Sequence, residues 1–223
     1  MPTKSRSPLS RDRVLRTALD LADRHGFEGC TMRKIGAQLG VEAMSLYRHV
    51  SSKEDLLGGL VDLVFAEVAV DEPGTTDWRT AMTGRAHSQR AALRRHRWAI
   101  GLMEGRPQPG PASLRVHDAT LGVLREAGFP FRAAVHANSV LDAYVYGFAL
   151  QERGLPARAD GATAEVMREQ ARSVPEMREY PYLVEAMDEF ADAGYDYDAA
   201  FAFGLELILD GIEPLRSTRT ATG

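Results

Sequence analysis

The sequence predicts an all-α protein in which a small N-terminal helical domain precedes a larger helical bundle. Apolar residues recur at the three- and four-residue spacing of helices along most of the chain, and no stretch alternates as a strand would. Serine, threonine and glycine stand where these patterns begin and end. With 223 residues, the chain is long enough to bury a substantial core without disulfides or metal ions.

Capping signals place the helices along the chain. Ser10 and Thr31 are positioned to cap the first two, and Ser51 with Glu54 is expected to form a capping box for the fourth. An Asp-Glu-Pro-Gly sequence at 71–74 then marks a boundary, so we expect one domain at 1–70, termed the head, and a second at 71–223, termed the body. The expected helices cover about residues 11–25, 32–39, 43–50, 52–70, 77–95, 97–104, 112–127, 131–152, 182–193 and 197–213.

Charge is divided unevenly between the two ends of the chain. Residues 1–53 hold ten Lys and Arg against five Asp and Glu, although the whole chain has a formal net charge of -4. A basic segment on an acidic remainder favours contact with a polyanion through that segment. Chance clustering is the alternative.

Residues 31–53 carry the most informative pattern, because two short helices are separated by a Gly-Val pair at 40–41. This is the helix-turn-helix arrangement, with Ile35, Leu39 and Leu46 expected in the core. Arg48 is suited to bind a guanine edge, and Thr31, Tyr47, His49 and Lys53 are placed to contact phosphates. The face expected to approach base edges comprises Ala43, Met44, Ser45, Tyr47, Arg48 and His49.

The same segment resembles the DNA-binding head of the TetR family of transcriptional regulators. The likeness lies in consecutive motifs: Gly-Phe-Glu-Gly at 26–29, Thr-Met-Arg-Lys-Ile at 31–35, Gly-Val at 40–41, Leu-Tyr-Arg-His-Val at 46–50 and Lys-Glu-Asp-Leu-Leu at 53–57. It implies backbone contacts from Thr31, Tyr47, His49 and Lys53, and base contact from Arg33. Gly36 stands where alanine is usual, which should loosen the second helix by up to ~1 kcal/mol.

The body carries Phe-Gly-Leu-Glu-Leu-Ile at 203–208, Gly-Arg-Pro at 105–107 and Gly-Phe at 128–129. These motifs resemble the regulatory domains of tetracycline-binding members of that family, so that the likeness covers about residues 10–214. It implies a pocket in which Arg85, Gln89 and Thr120 occupy positions that grip the antibiotic's polar edge. Met103 stands where those members have a magnesium-binding histidine. We therefore expect no metal ion or cofactor, and an effector other than magnesium–tetracycline. Whether tetracycline is excluded outright stays open.

Polar residues within apolar helices also indicate a binding site in the body. His117 aligns with Leu121 on an apolar face, and Asn138 lies one turn before Asp142. Buried polar groups need partners, which could be each other, water or a ligand. The walls of the cavity are expected to include Met82, Trp98, Met103 and Leu121, which favours a small hydrophobic effector.

Two helices of the body, at 131–152 and 197–213, carry apolar residues nearly all round. One side of each suits the core, and the other calls for a cover, as in a four-helix interface of a homodimer. Burial within a monomer is the alternative. A two-fold dimer would place its recognition helices about 34 Å apart, on a pseudo-palindromic operator in double-stranded DNA.

No catalytic or metal-binding constellation stands out. Cys30 is expected to be packed, the residues His87, His96, His117 and His136 are scattered, and the basic run 94–97 is expected to be a solvated helix end. We therefore predict a cytoplasmic, ligand-responsive regulator, most simply a repressor, that is not an enzyme and does not enter membranes. The alternatives are a ligand-independent architectural DNA-binding protein and a helical enzyme using His117 with Asp142.

Overall fold

The computed structural model describes residues 8–103, 108–153, 179–193 and 196–216, with residues 169, 174 and 177 as isolated positions. These ranges contain α-helices and short 3-10 turns and no strand, as predicted. From the sequence we also expect a mobile loop at 154–162 and a disordered tail from Ser217, and both lie outside these ranges. The helices are α1 Arg11–His25, α2 Met32–Leu39, α3 Ala43–Leu46, α4 Lys53–Ala66, α5 Trp78–Arg95, α6 Pro111–Glu126, α7 Phe131–Arg153, α8 Pro181–Ala193 and α9 Tyr197–Ile212.

The described helices form two compact units. One spans Met1–Ala149 with Leu215–Gly223 and holds α1 to α6 and most of α7, and the other spans Leu150–Pro214 and holds α8 and α9. The boundary expected after residue 70 lies inside the first unit, because α4 packs on α5 and α6. That boundary stays a prediction.

Side-chain caps begin the head helices as the sequence indicates, with one shift. Ser10 Oγ accepts from Arg13 N and Thr31 Oγ1 accepts from Lys34 N. In α4 the cap is Ser52, whose Oγ accepts from Asp55 N at 3.0 Å, and not Ser51. The capping box predicted for Ser51 with Glu54 is therefore wrong, because Ser52 is the N-cap and the Asp55 carboxylate accepts from Ser51 N.

Three predicted helices end earlier than expected, each for a local reason. α3 ends at Leu46 because the next turn tightens, with His49 N donating to the oxygen of Leu46 three residues back. α4 ends at Ala66, and Ala69 N donates to Ser88 Oγ on α5 instead of continuing the helix. The helix predicted at 97–104 is a single 3-10 turn, Arg97–Ala99, because Gly101 adopts φ +83°.

The core of the head is a cluster of aliphatic side chains from α1 to α4. Ile35, Leu39 and Leu46 are buried in it, as predicted, and Val41 packs against it. Gly40 ends α2 in the left-handed region at φ +70°, which gives the sharp turn between α2 and α3.

Gly36 brings α2 and the start of α3 together. A Cβ at this position would lie 2.8 Å from Val41 O and 3.3 Å from Ala43 N, both backbone atoms. The expectation that Gly36 merely loosens α2 is therefore incomplete, because the missing Cβ permits this close approach.

We expect Gly36→Ala to destabilise the head although alanine favours helices. Overpacking against backbone should cost about 1–3 kcal/mol, which outweighs a propensity gain of at most ~1 kcal/mol. Thermal unfolding of the variant measures the balance. Gly84→Ala in α5 is the matched control, because nothing lies within 4 Å of its Cβ and it should gain stability. Equal stabilisation by both would show that α2 and α3 are not in close contact.

Asp55 provides a pH-dependent tie between α1 and α4. Its hydrogen bond to the Arg11 guanidinium, followed by bonds from Ser51, lowers the pKa of Asp55 from 3.8 to about 2. A lowered folded-state pKa stabilises the fold above the ordinary value, and this contribution is lost as the pH falls towards 2.

We expect Asp55→Asn to lower the free energy of unfolding at pH 7 by about 1 kcal/mol, since the pair is partly exposed. The difference from the parent protein should shrink when denaturant unfolding is repeated at pH 3. Asp12→Asn, which removes the exposed pair with Arg16, should leave stability nearly unchanged, because solvent screens this pair. An Asp55→Asn effect that is unchanged at pH 3 would contradict this account.

Candidate functional site

The predicted reading face lies on the outside of the short α3 and the turn that follows it. Met44 is 74% exposed and Tyr47 is 46% exposed, although Leu46 between them is fully buried. Arg48 is also exposed, whereas Ala43, Ser45 and His49 are half-buried. A protruding methionine, tyrosine and arginine on one side of a packed helix form a surface suited to a partner.

The first turn of α2 presents two further predicted contacts. Thr31 is exposed, and its Oγ1 accepts a hydrogen bond of 3.3 Å from Lys34 N, so its hydroxyl proton can still be donated. Arg33 is exposed two residues on.

Lys53 is exposed but already engaged. Its Nζ lies 3.0 Å from Glu28 Oε2 and 5.3 Å from the centre of the Phe27 ring. A phosphate that binds Lys53 would therefore have to compete with a carboxylate of the same head.

Arg11 supports this surface, a role that sequence patterns did not predict. Its guanidinium donates to the backbone oxygen of His49 at 2.8 Å and to both carboxylate oxygens of Asp55. Arg11 therefore joins α1 to the end of the reading segment and to the first turn of α4. Only its position near a helix start is visible in the sequence, where arginine is common.

Trp98 lies at the junction of head and body, not among the other predicted pocket residues. Its indole stacks on Phe27 with ring centres 6.1 Å apart, and its Nε1 donates to Asp23 Oδ1 at 2.7 Å. Trp98 packs against the head core. The expectation that it lines the cavity is replaced by a role at this junction.

His96 lies in the same junction and is buried, so the expectation that 94–97 is simply a solvated helix end is wrong at this residue. Its Nδ1 lies 2.8 Å from Asp23 Oδ1 in α1, and its Nε2 lies 3.1 Å from Glu67 Oε1 just after α4. Both contacts are hydrogen bonds only when the ring carries both protons. The ring reaches both carboxylates from the end of α5, where His96 is the C-cap residue.

In the body, Asp142 gathers three of the predicted pocket residues. It forms a buried ion pair with Arg85 and accepts from Asn138 Nδ2 at 3.1 Å. His117 Nε2 lies 4.0 Å from Asp142 Oδ2, and His117 Nδ1 donates to Ser113 O. The sequence left open whether Asn138 and Asp142 bond each other, water or a ligand. In the structure they bond each other, and Asp142 also pairs with Arg85.

Several polar atoms near this cluster are buried without a hydrogen bond from the described part of the protein. They are both amide atoms of Gln89, one turn along α5 from Arg85, together with Arg85 Nε and Asn138 Oδ1. The side chains of Gln89 and Arg85 are almost inaccessible, at 1% and 2% exposure. Unmade hydrogen bonds at buried groups are costly and mark candidate ligand contacts.

The remaining predicted pocket residues are apolar or already bonded. Met82 and Met103 are buried, and Leu121 is half-buried. Thr120 is buried, but its hydroxyl donates to Val116 O of its own helix at 2.7 Å.

The chemistry of nucleophiles and metals finds little support in the described ranges. Cys30 is buried with its Sγ 3.4 Å from Ala18 O, and burial raises the pKa of its thiol to about 11, so it is packed as expected. No group of three His, Cys, Asp or Glu side chains suited to a metal ion occurs among the described residues. None of the helices in these ranges is long and apolar enough to cross a bilayer.

Comparison with known proteins agrees with this geometry. Residues 14–60 match the family described as "Bacterial regulatory proteins, tetR family", and residues 71–216 match "Tetracyclin repressor-like, C-terminal domain". The HTH-type transcriptional repressor DrrR1 of Streptomyces coeruleorubidus is 32% identical, over 98% of this chain and 83% of that protein. The tetracycline repressor protein class A from transposon 1721 of Escherichia coli is 34% identical, over 93% and 92%.

A solved structure shares the fold. The TetR family protein ActR of Streptomyces coelicolor, in complex with actinorhodin, superposes with a TM-score of 0.75 at 28% identity, covering 92% of this chain and 97% of that one. Both parts of the sequence and the helical architecture thus lead to one assignment: the chain belongs to the TetR family of bacterial regulatory proteins.

Proposed function

We propose that the chain is a ligand-responsive transcriptional repressor that binds operator DNA through its head and is released by a small hydrophobic effector bound in its body. The observation that carries this proposal is the exposed face of Met44, Tyr47 and Arg48 on a helix whose inner side is fully packed. Thr31, Arg33 and Lys53 flank that face. We further propose that the protein acts in the cytoplasm and catalyses no reaction.

The proposed assembly is a homodimer. On α7, Phe131, Val135 and Val140 are exposed, and on α9 Phe203 is 68% exposed and Leu207 is 58% exposed. Large exposed apolar side chains on each of these helices call for a partner surface. A two-fold dimer would present two reading faces to successive major grooves, and so favours a pseudo-palindromic operator.

The proposed effector is neutral overall, with an apolar body and a polar edge. The charge of Arg85 is balanced by Asp142, so the cluster leaves no net charge for an ionic ligand to neutralise. Gln89 offers one unbonded acceptor and one unbonded amide donor, and Met82 and Met103 offer apolar contact. ActR is a family relative whose structure holds a small molecule, actinorhodin. Magnesium–tetracycline fits poorly, because Met103 replaces the metal-binding histidine.

Fluorescence anisotropy with DNA from the region beside the protein's own gene tests the proposal. Tight binding to this fragment, weak binding to a scrambled fragment of equal length, and saturation at one dimer per site are expected. Equal binding to both fragments that falls steeply with salt would favour an architectural role instead.

We expect Arg48→Ala and Tyr47→Ala to weaken DNA binding in different ways. Loss of a base contact should cost about 1–3 kcal/mol and relax the preference at one base position, whereas loss of a phosphate contact should weaken all sequences alike. Selection of preferred DNA sequences from a random library with each variant distinguishes a lost base contact from a lost phosphate contact. Arg94→Ala, at an exposed position of α5, is the control, because it lies outside the head and outside the helices of the proposed dimer interface. An unchanged sequence preference in Arg48→Ala would show that Arg48 does not contact a base.

We expect Gln89→Met to stabilise the free protein and to weaken its response to effector. Removing a buried amide that lacks hydrogen bonds should recover about 1–3 kcal/mol, which urea unfolding measures. Gln38→Met, at an exposed position that pairs with Arg24, should leave stability nearly unchanged. Destabilisation by Gln89→Met would mean that the amide is satisfied in the free protein and is not reserved for a ligand.

A further inference from the structure

Helix α6 begins without a cap from its own sequence. Its N-cap residue is Gly110, which has no side chain to bond the first turn, and Pro111 follows it. The free N–H groups of a first turn need an acceptor, and a carboxylate is the most favourable one because it also meets the positive end of the helix dipole.

That acceptor comes from α4, about fifty residues earlier in the chain. Asp62 Oδ1 accepts from Ala112 N at 2.9 Å and from Ser113 N at 3.1 Å. The fit depends on Gly110, since a Cβ there would lie 2.3 Å from Asp62 Cγ and Oδ1. Asp62 thus caps a helix to which it does not belong.

The two helices joined in this way, α4 and α6, contact different parts of the protein, the reading segment and the proposed effector site. α4 begins at Lys53, and its first turn is tied through Asp55 and Arg11 to His49 of the reading segment. α6 carries His117, which lies beside Asp142. A ring contact between Phe65 of α4 and His117, with centres 5.8 Å apart, adds a second point of contact one turn beyond Asp62.

On the side of Asp62 nearer the head, an open space lies between α4 and the residues that precede α6. A cavity of about 710 Å³ lies there, with Arg11, Asp55 and Gly58 on one side and residues 108–111 on the other, and Asp62 is at its edge. The Asp62 cap lies beside this space, where it joins the start of α6 to the middle of α4, and α4 and α6 also pack on each other elsewhere.

We propose that Asp62 is the positioning residue that couples the effector site to the head, by fixing α4 to the first turn of α6. This inference rests on the proposed function. Coupling between two sites is reciprocal. DNA bound at the head should therefore hold α4 in place, keep the cap closed, and slow hydrogen exchange at the first amides of α6.

The experiment measures hydrogen–deuterium exchange of the peptide that contains Ala112 and Ser113, with and without duplex DNA. The probe is a duplex selected from a random library by the unmodified full-length protein. In the parent protein the duplex should slow this exchange. In Asp62→Ala, exchange should be about fivefold faster, as for a lost helix cap, and should no longer depend on the duplex.

Three further variants separate coupling from stability. Asp77→Ala removes a carboxylate that caps its own helix through Arg79 N and Thr80 N, so stability should fall while the effect of the duplex on α6 remains. Asp62→Asn keeps the accepting oxygen and should retain the effect. Gly110→Ala displaces the Asp62 carboxylate from the opposite side and should abolish the effect, even if Asp62→Ala does not fold.

The outcomes are distinct. Exchange that still responds to the duplex in folded Asp62→Ala or in Gly110→Ala would overturn the proposal, and so would its loss in Asp62→Asn or Asp77→Ala. If no duplex can be selected at all, the proposed DNA-binding function itself fails. Tight duplex binding without any effect on α6 of the parent protein would overturn the coupling alone.

Discussion

The reading surface depends on the bonds that Arg11 makes at the base of α3. A helix of four residues has almost no stability of its own, so its position is fixed by neighbours. Leu46 anchors it in the core, and the missing Cβ of Gly36 lets α2 lie close beneath its start. Arg11 then holds the backbone of His49 and the carboxylate of Asp55 together. Without that bridge, the residues of the proposed reading face would be carried by a loosely held turn.

The body is organised by a similar constraint, the need to pair a buried charge. Arg85 is nearly inaccessible, and an unpaired guanidinium there would be prohibitive, so Asp142 fixes α5 against α7. Asn138 completes one side of the carboxylate. The amide atoms of Gln89 stay unbonded one turn beyond this pair along α5, where binding of a ligand would recover the hydrogen bonds that folding leaves unmade.

Local patterns in the sequence were sufficient for the all-α class, for α1 and α2 with their caps, and for the exposure of Met44, Tyr47 and Arg48, although Ala43, Ser45 and His49 of the same predicted face are half-buried. They misplaced the ends of α3 and α4, because those ends are set by a tightened turn and by the bond between Ala69 and Ser88. They could not reveal the role of His96 or Asp62. Each of those side chains bonds partners some twenty-nine to seventy-three residues away, and helical periodicity carries no information on such pairs. For Trp98, the residue type was misleading, because tryptophan suits a cavity wall but this indole contacts Phe27 and Asp23 instead.

The ion pair between Lys53 and Glu28 has a consequence for how the head releases ions. A phosphate that binds a free lysine displaces a condensed cation from DNA, and each such cation steepens the dependence of affinity on salt. Lys53 already pairs with Glu28 in the free head, although both side chains are largely exposed. If Lys53 contacts a phosphate as proposed, that contact has to displace Glu28, so it would contribute less to affinity than an unpaired lysine.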